Sequence, residues 1–196
     1  MAKEEKLIAV FGAVFIFSII MIFAQQGKLT GYATSGSTFS NVTITSFLSI
    51  DMSSNLASGI EFGNVSDLPA PDVNASHNYD GGSSASTMFI NVSTDSNSAV
   101  DFCNKANAGL TDSIGGNVIE LGNETYGNSS TSDATTPSVT LQTALTTNYI
   151  KAQANVAIGN VTYYRFWLDV PVATAPASYN NSVWFKGVVV GNPCGS

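Results

Sequence analysis

The sequence predicts an all-β protein: an antiparallel two-sheet sandwich, immunoglobulin-like or jelly-roll, preceded by one N-terminal hydrophobic helix. Three observations predict this class. Apolar and polar residues alternate with a period of two in many short segments after residue 40, as in half-buried strands. Turn-rich stretches separate these segments, and no amphipathic helical pattern occurs after residue 33. About eight or nine strands without intervening helices indicate two antiparallel sheets packed face to face.

The chain opens with an uninterrupted apolar run, LIAVFGAVFIFSIIMIFA, from Leu7 to Ala24. As a helix, this run spans about 27 Å, close to the ~30 Å hydrocarbon core of a bilayer. Residues 1–24 are therefore predicted to be a signal or anchor helix, with the amino terminus inside and the rest of the chain outside. Gly31 and Ala33 match the small residues of a signal-peptidase site but lie well beyond the run, so retention and cleavage both remain open.

Residues 25–40 are predicted to be a flexible linker rich in Gly, Ser and Thr, and residues 41–196 one extracellular domain. The domain begins with NVTITSFLSIDM, whose apolar residues fall mostly on even positions. They predict a strand with one buried face: Val42, Ile44, Leu48, Ile50 and Met52. Because it follows a flexible linker, this strand could complete its own sandwich or that of a neighbouring copy.

The remaining strands follow at short intervals. GIEFGNV, TMFINVS, SAVDFCNK, GNVIELGN and PSVTLQT each predict a short strand. Three longer segments follow them: YIKAQANVAI, VTYYRFWLDV and YNNSVWFKGVVV. The inward-facing residues predicted by the alternation of these three segments are Ile150, Ala152, Ala154, Val156 and Ile158; Tyr164, Phe166, Leu168 and Val170; and Tyr179, Val183, Phe185 and Val189.

The exported part of the chain is acidic and poor in charge. Only 11% of all residues are charged, and four bases after Ala33 face twelve acids, which gives about −8. Such a surface repels phosphate backbones, so nucleic acid is excluded as a partner. The scarcity of lysine also argues against a polybasic membrane patch. Ser, Thr, Asn and Gly keep the surface polar, which suits dense packing against copies of the same chain.

The two cysteines, Cys103 and Cys194, are most simply one disulfide in an exported chain. The bond would close a loop of about 92 residues and contribute on the order of 4–5 kcal/mol in the chain-entropy model. It would also fix the C-terminal end of the chain. Two unpaired buried thiols are the alternative.

Eight Asn-x-Ser/Thr sequons occur, fewer than twice the number that the composition gives by chance. They make N-glycosylation at some positions an expectation for an exported chain. The candidate positions are Asn41, Asn64, Asn74, Asn91, Asn123, Asn128, Asn160 and Asn180.

The sequence offers no catalytic set. His77 is the only histidine and lies in a polar, Gly-rich stretch, so no histidine base is placed for a serine or cysteine nucleophile. We therefore expect no enzymatic activity and no cofactor. The candidate metal is Ca²⁺, with the oxygens of Asp67, Asp72 and Asp80 as ligands. These aspartates share one long loop, but their spacing fits no defined calcium loop.

The strand VTYYRFWLDV also carries a polar and aromatic set on its other face. Tyr163, Arg165, Trp167 and Asp169 alternate there, and Trp184 and Lys186 are predicted to lie on the neighbouring strand. This outward face is either cross-strand pairing on a sheet surface or a contact surface for another subunit or a glycan.

Two features of the sequence, described below, resemble known prokaryotic surface proteins. YYRFWLDVPVATAPASYNNSVWFKG looks like the last hairpin of sandwich domains in prokaryotic surface proteins. The order of hydrophobic segment, Gly/Ser/Thr linker, FSNVTITSFLSIDM and IEFGNV resembles camelysin-type fibre proteins and archaeal pilus subunits. That resemblance implies polymerisation by passing an N-terminal strand into the next subunit. The chain departs from type IV pilins, because only MAKEEK stands where their processing site precedes the apolar helix.

The expected function is that of a structural subunit of an extracellular, pilus-like filament, built by N-terminal strand exchange and anchored in the membrane at least before assembly. Its partners would be copies of itself and, through the N-terminal helix, the membrane. A membrane-tethered surface glycoprotein or adhesin is the alternative. The subunit-contact candidates are Val42, Ile44, Leu48, Ile50, Tyr163, Trp167 and Trp184.

Overall fold

The computed structural model of the protein describes residues 15–16 and 39–195. Phe15 and Ile16 are helical, and the rest of the predicted helix over residues 1–24 lies outside the described residues, as does most of the predicted linker. Within the described part of the chain, no helix has the length and apolar character needed to cross a membrane. The chain divides into two compact units, residues 1–43 and 44–196, and the architecture below is that of the second unit.

The second unit consists mainly of short strands. They are β1 (Ile50–Met52), β2 (Ala70–Asn74), β3 (Phe89–Val92), β4 (Val100–Ala106), β5 (Leu110–Asp112), β6 (Val118–Ile119), β7 (Glu124–Ser129), β8 (Thr143–Ala144), β9 (Ile150–Val156), β10 (Val161–Val170), β11 (Tyr179–Asn180) and β12 (Val183–Val189). One α-helix, α1 (Ser54–Ser58), and three 3₁₀ turns lie between them: Gly82–Ser84, Leu121–Asn123 and Val139–Leu141. The predicted all-β class is confirmed, and the paired strands are antiparallel.

The strands form three sheets. Sheet A has the order β1-β3-β10-β7-β8, with β2 also paired to β10; sheet B has the order β12-β4-β9; and sheet C has the order β11-β5-β6. The long strand β10 organises sheet A, because β3 and β2 pair with its first and last residues while β7 pairs along Tyr163–Leu168.

The main hydrophobic core draws side chains from sheets A and B together. Sheet A contributes Ile90, Val92, Tyr126, Tyr164 and Phe166, and sheet B contributes Val100, Phe102, Ala106 and Val156. A smaller core of Leu110, Ile119, Leu168 and Val170 joins sheet C to the end of β10. Burying this apolar area is the main favourable term in folding.

The alternation correctly predicts the inward-facing residues of β3 and β10. Met88, Ile90 and Val92 are completely buried, and so are Tyr164 and Phe166. In β9 the predicted inward position of Val156 is confirmed but that of Ala154 is wrong, because the pairing with β4 shifts register there and Asn155 has a φ of 53°. Ile158, which lies beyond the end of β9, is also exposed and not buried as predicted. GIEFGNV forms no strand, although Ile60 and Phe62 still pack against the core.

The helix α1 is not foreseen by the sequence pattern. Ser53 caps its amino end: the Ser53 hydroxyl accepts a hydrogen bond from Leu56 N at 3.3 Å and another from Phe89 N at 3.0 Å. Leu56 is buried in the main core. The cap thus joins α1 to β3.

The predicted first strand is much shorter than expected. It begins at Ile50, and β1 pairs with β3 only through Ile50, Asp51 and Met52. The reason is that β3 ends at Val92 and a turn follows, so the described strands of residues 39–195 leave no partner for the residues before Ile50. The expectation that Val42 and Ile44 are buried in their own domain is wrong, since each side chain is 80% exposed.

Candidate subunit-contact site

Residues 39–47, which we call the apolar segment, expose large hydrophobic side chains. Phe39 is fully exposed, Val42 and Ile44 are 80% exposed, and Phe47 is 57% exposed. None of these residues belongs to a helix or strand. Soluble monomers rarely expose a contiguous apolar stretch, and such stretches mark interaction sites.

The carboxyl end of the apolar segment is fastened to the turn after β3. Phe47 N donates to Asn97 Oδ1 at 2.7 Å, and Asn97 N donates back to Phe47 O at 3.1 Å. Asn97 Nδ2 also donates to Thr45 O at 2.9 Å, and Ser49 N to Ser96 Oγ at 2.9 Å. Leu48 and Ile50, which follow, pack against the main core as predicted. The hydrogen bonds that attach the segment to the turn after β3 therefore begin at about Thr45.

A groove of about 380 Å³ lies between the β1–α1 region and β12. Most of the side chains that line the groove are apolar, but polar atoms form the larger part of its accessible surface. The lining residues are Met52, Leu56, Ala57, Gly59, Ile60, Asn181, Ser182, Val183, Trp184 and Phe185.

The groove follows strand edges that have no partner. Among the described strands, β12 pairs only with β4, and β1 pairs only with β3. Val183, Trp184 and Phe185 are consecutive, so their side chains alternate between the two faces of β12, yet all three line the groove. This is expected if the groove runs along the open edge of β12. An open edge presents unpaired N–H and C=O groups to another strand.

Sheets A and B approach each other closely at this place. A Cβ atom on Gly187 of β12 would lie 2.8 Å from Val100 Cγ1 and 3.0 Å from Ile50 Cγ2 of β1. Only glycine fits there without displacing one of these side chains. The small residue therefore lets the two sheet edges meet beside the groove.

The prediction that β10 has a polar and aromatic face directed outward is wrong. Arg165 and Trp167 are buried, and Tyr163 is half-buried with its ring edge-on to Phe89. Trp184 is 43% exposed, but it lies in sheet B and not beside β10. Of the predicted contact residues in this set, Trp167 is excluded by its burial, whereas the half-buried Tyr163 and the exposed Trp184 stay candidates for a contact between subunits.

Two loops cover this side of β10, and Arg165 binds both of them. Its guanidinium donates to the carbonyl oxygens of Asn78 at 2.7 Å, Pro137 at 2.8 Å and Ser84 at 3.1 Å, and also to that of Asp133. The ring of Tyr79 lies 4.1 Å from the guanidinium carbon. Both faces of β10 are thus covered, which period-two alternation alone does not reveal.

The three aspartates proposed for Ca²⁺ do not come together. Asp72 accepts from Gln142 Nε2 at 2.5 Å, Asp80 contacts His77 and the hydroxyl of Thr87, and Asp67 accepts from Ser66. Across the described residues, no group of three or more His, Cys, Asp and Glu side chains is placed to hold a metal.

The structure places the sulfur atoms of Cys103 and Cys194 2.03 Å apart, as a disulfide bond requires and as the sequence predicts. Cys103 lies on β4, and both cysteines are buried. A disulfide is compatible with an extracellular location.

The sequon asparagines differ in their accessibility. Asn91, Asn123 and Asn128 are half-buried, and the amide of Asn128 donates to Gln153 Oε1 at 2.7 Å. The exposed positions are Asn41, Asn64, Asn74, Asn160 and Asn180. Glycosylation at any of them stays a prediction.

Sequence reasoning did not find the clustering of lysines on sheet B. Lys105, Lys151 and Lys186 come from three different strands of that sheet. Lys151 Nζ bonds Asp101 Oδ2 at 2.5 Å. Burial by itself would raise the pKa of Asp101, but this bond and those from Asn155 N and Gly191 N outweigh it and hold the pKa below its usual value. The strand order that joins the lysines cannot be read from one sequence.

Comparisons of the chain with protein-family models, with curated proteins and with solved structures found no match. The apolar segment, the groove and the distribution of charges are therefore the features of the molecule that bear on its function.

Proposed function

We propose that the chain is the structural subunit of an extracellular surface filament, in which the apolar segment of one copy adds as a strand to the open edge of the next. One observation carries the proposal: the same chain exposes an apolar segment and offers, along an unpaired strand, a groove that combines apolar side chains with a larger accessible area of polar atoms. The chain thus supplies both halves of a β-strand addition.

The energetics favour such a contact. Val42 and Ile44 point to the same side of an extended strand, and burying each would contribute roughly 1.5–3 kcal/mol. Main-chain hydrogen bonds to β12 would fix the direction of the added strand and cover an edge that would otherwise promote aggregation. Because the donating and accepting surfaces differ, the contact is heterologous and builds an open fibre.

The finer fold assignment belongs to this proposal. We infer a two-sheet sandwich, immunoglobulin-like or jelly-roll, whose layers are sheets A and B. The support is that both sheets contribute to one core and that their edges β1 and β12 flank the groove. An added strand would then lie where the two layers are open.

The sequence and the cysteine pair support a location outside the cell. We propose that the domain is exported, that residues 1–24 hold the subunit in the membrane before assembly, and that it has no enzymatic role. The resemblance to archaeal pilus subunits and camelysin-type fibre proteins and the disulfide support export. Occupied sequons would make it a glycoprotein.

The test compares two neighbouring substitutions in the full chain. Ile44→Asp places a charge on the side of the segment that would be buried, whereas Thr45→Asp places the same charge on the other side. Both leave the Asn41 sequon intact. The readout is the amount of filament in sheared cell-surface fractions, by electron microscopy and sedimentation.

We expect wild type and Thr45→Asp to form filaments and Ile44→Asp to lose them. The loss should be at least about tenfold, since ~1.4 kcal/mol corresponds to a factor of ten. Equal assembly by both variants would contradict strand addition. A wild-type chain that stays monomeric at high concentration would favour the tethered binding module.

A further inference from the structure

The outer face of sheet B, which we call the lysine face, collects the accessible cations of the described chain. Lys105 lies on β4, Lys151 on β9 and Lys186 on β12. The register places Trp184 opposite Lys105, Lys186 opposite Cys103, and Cys103 opposite Lys151. The side chains therefore share one face of the sheet, opposite the core face that carries Phe102 and Phe185.

The other base in residues 39–195, Arg165, is buried. The rest of this surface therefore carries carboxylates without cations. Nine carboxylates are exposed or half-buried, and none lies on β4, β9 or β12: Asp51, Glu61, Asp67, Asp72, Asp80, Asp95, Glu120, Asp133 and Asp169. The charges of the domain are thus segregated by surface.

Two of the lysines crowd one aromatic ring. Lys105 Nζ lies 4.7 Å and Lys186 Nζ 5.0 Å from the centre of the Tyr149 ring, and Lys105 Nζ also lies 5.4 Å from that of Trp184. Cation–π contact stabilises each ammonium group. Two like charges on one ring nevertheless repel each other, and an anion beside them would relieve that repulsion.

That anion is not supplied within the described part of the chain. Lys151 pairs with Asp101, but neither Lys105 nor Lys186 has a carboxylate within salt-bridge distance in residues 39–195. Lys186 Nζ donates instead to the carbonyl oxygen of Cys194 at 2.8 Å. The disulfide therefore holds the chain end against the lysine face and helps to position this ammonium group.

We propose that the lysine face binds the acidic surface of a second copy of this chain. Charge complementarity favours that occupant, because every copy presents nine accessible carboxylates and none of them lies on the strands of this face. The contact joins two different surfaces and is thus also heterologous. The three lysines lie outside the apolar segment and do not line the groove, although Trp184 belongs to both surfaces, so removing the lysine charges tests this contact apart from strand addition.

Salt should control this contact in a characteristic way. At about 0.1 M salt the screening length is about 10 Å, so contacting charges still attract while the distant net charges of two acidic domains scarcely repel. At about 1 M the screening length falls to about 3 Å and the attraction is lost. Strand addition depends on apolar burial and should not weaken in this way.

The experiment uses the full chain with Ile44→Asp, in non-ionic detergent, so that strand addition is blocked. Self-association is measured by analytical ultracentrifugation at 0.1 M and 1 M NaCl. The two added variants are Lys105→Gln with Lys186→Gln, which removes the charges, and Lys105→Arg with Lys186→Arg, which keeps them. After dilution of the detergent below its critical micelle concentration, vesicles with and without anionic lipid provide the competing surface.

We expect association at 0.1 M salt in the parent chain and in the arginine variant. It should be at least about tenfold weaker at 1 M salt and in the glutamine variant, as the loss of a contact worth ~1.4 kcal/mol implies. A parent chain that is monomeric at 0.1 M salt, or a glutamine variant that associates equally well, would overturn the proposal. Monomers that bind anionic vesicles would overturn it in favour of a membrane surface.

Discussion

Arg165 shows how one buried residue can fix two loops. It is fully buried, and its donors go to four backbone carbonyls in place of a carboxylate. Buried polar groups left without partners cost more than the hydrogen bonds themselves contribute. The residue therefore holds the 78–84 and 133–137 loops against β10.

We predict that Arg165→Met lowers the free energy of unfolding by about 2–4 kcal/mol, because it leaves these carbonyls unpaired. Arg165→Lys should lower the free energy of unfolding by a smaller amount, since one ammonium group cannot reach four separated acceptors. Urea unfolding followed by tryptophan fluorescence measures both. Tyr79→Phe, which keeps the ring over the guanidinium, is the control and should change little. Wild-type stability in Arg165→Met would contradict this role.

Glu124 is a buried carboxyl group whose ionisation makes the stability of the fold depend on pH. It is 1% exposed, and burial raises its pKa although Asn181 Nδ2 donates to it at 2.5 Å. A raised pKa means that the folded state prefers the neutral carboxyl. Its contribution to stability is thus present below the unfolded pKa and is lost as the pH rises through the folded pKa.

We predict that Glu124→Gln is more stable than wild type at pH 7 and that this advantage shrinks as the pH falls toward 4. Glutamine keeps an acceptor for Asn181 without a charge. The measurement is the difference in unfolding free energy between the two proteins from pH 4 to 8, which cancels the opposite contribution of Asp101. A difference that does not change with pH would refute the assignment.

At the scale of elements, the sequence predicts strands by alternation but not their partners. Ile90, Val92, Tyr164 and Phe166 alternate and are buried. Val42 and Ile44 alternate equally well and are exposed, because β3, the strand that pairs with β1, ends at Val92 and does not reach them. The alternation is therefore a property of the segment, whereas the burial depends on a neighbour.

The prediction that one side of β10 faces solvent is wrong for a similar reason. Its Tyr, Arg and Trp residues read as a surface pattern, yet loops distant in sequence cover them. Turn composition predicts that a stretch is a loop but not where the loop lies. The lysine face is likewise invisible in one sequence, because Lys105, Lys151 and Lys186 meet only through the strand order of sheet B.

The groove gives an element-scale prediction about α1. Ala57 is exposed and lines the groove, whereas the adjacent Ser58 is exposed and does not line it. Ala57→Glu should reduce filament formation by about tenfold or more, because the added strand would have to desolvate the new charge. Ser58→Glu is the matched control and should assemble like wild type. Equal assembly by both would show that the groove is not the acceptor.

At the scale of the whole molecule, strand addition makes each subunit both donor and acceptor. A chain grows only if every copy can perform both roles, because the contact does not close. Ile44→Asp would damage the donor and leave the groove intact. Ala57→Glu would damage the groove and leave the donor intact. The two defects lie on different parts of the molecule, so their combination separates an assembly defect from a folding defect.

We predict that equal amounts of these two variants form pairs and no fibres. The intact segment of Ala57→Glu can add to the intact groove of Ile44→Asp, but neither remaining end can then extend the chain. Each variant alone should stay monomeric at about 1 M salt, where association through charge is screened. Sedimentation of the full chains, one labelled with ¹⁵N, followed by native mass spectrometry, would identify pairs containing one copy of each. Fibres in the mixture, or pairs of identical copies, would mean that the segment and the groove are not partners.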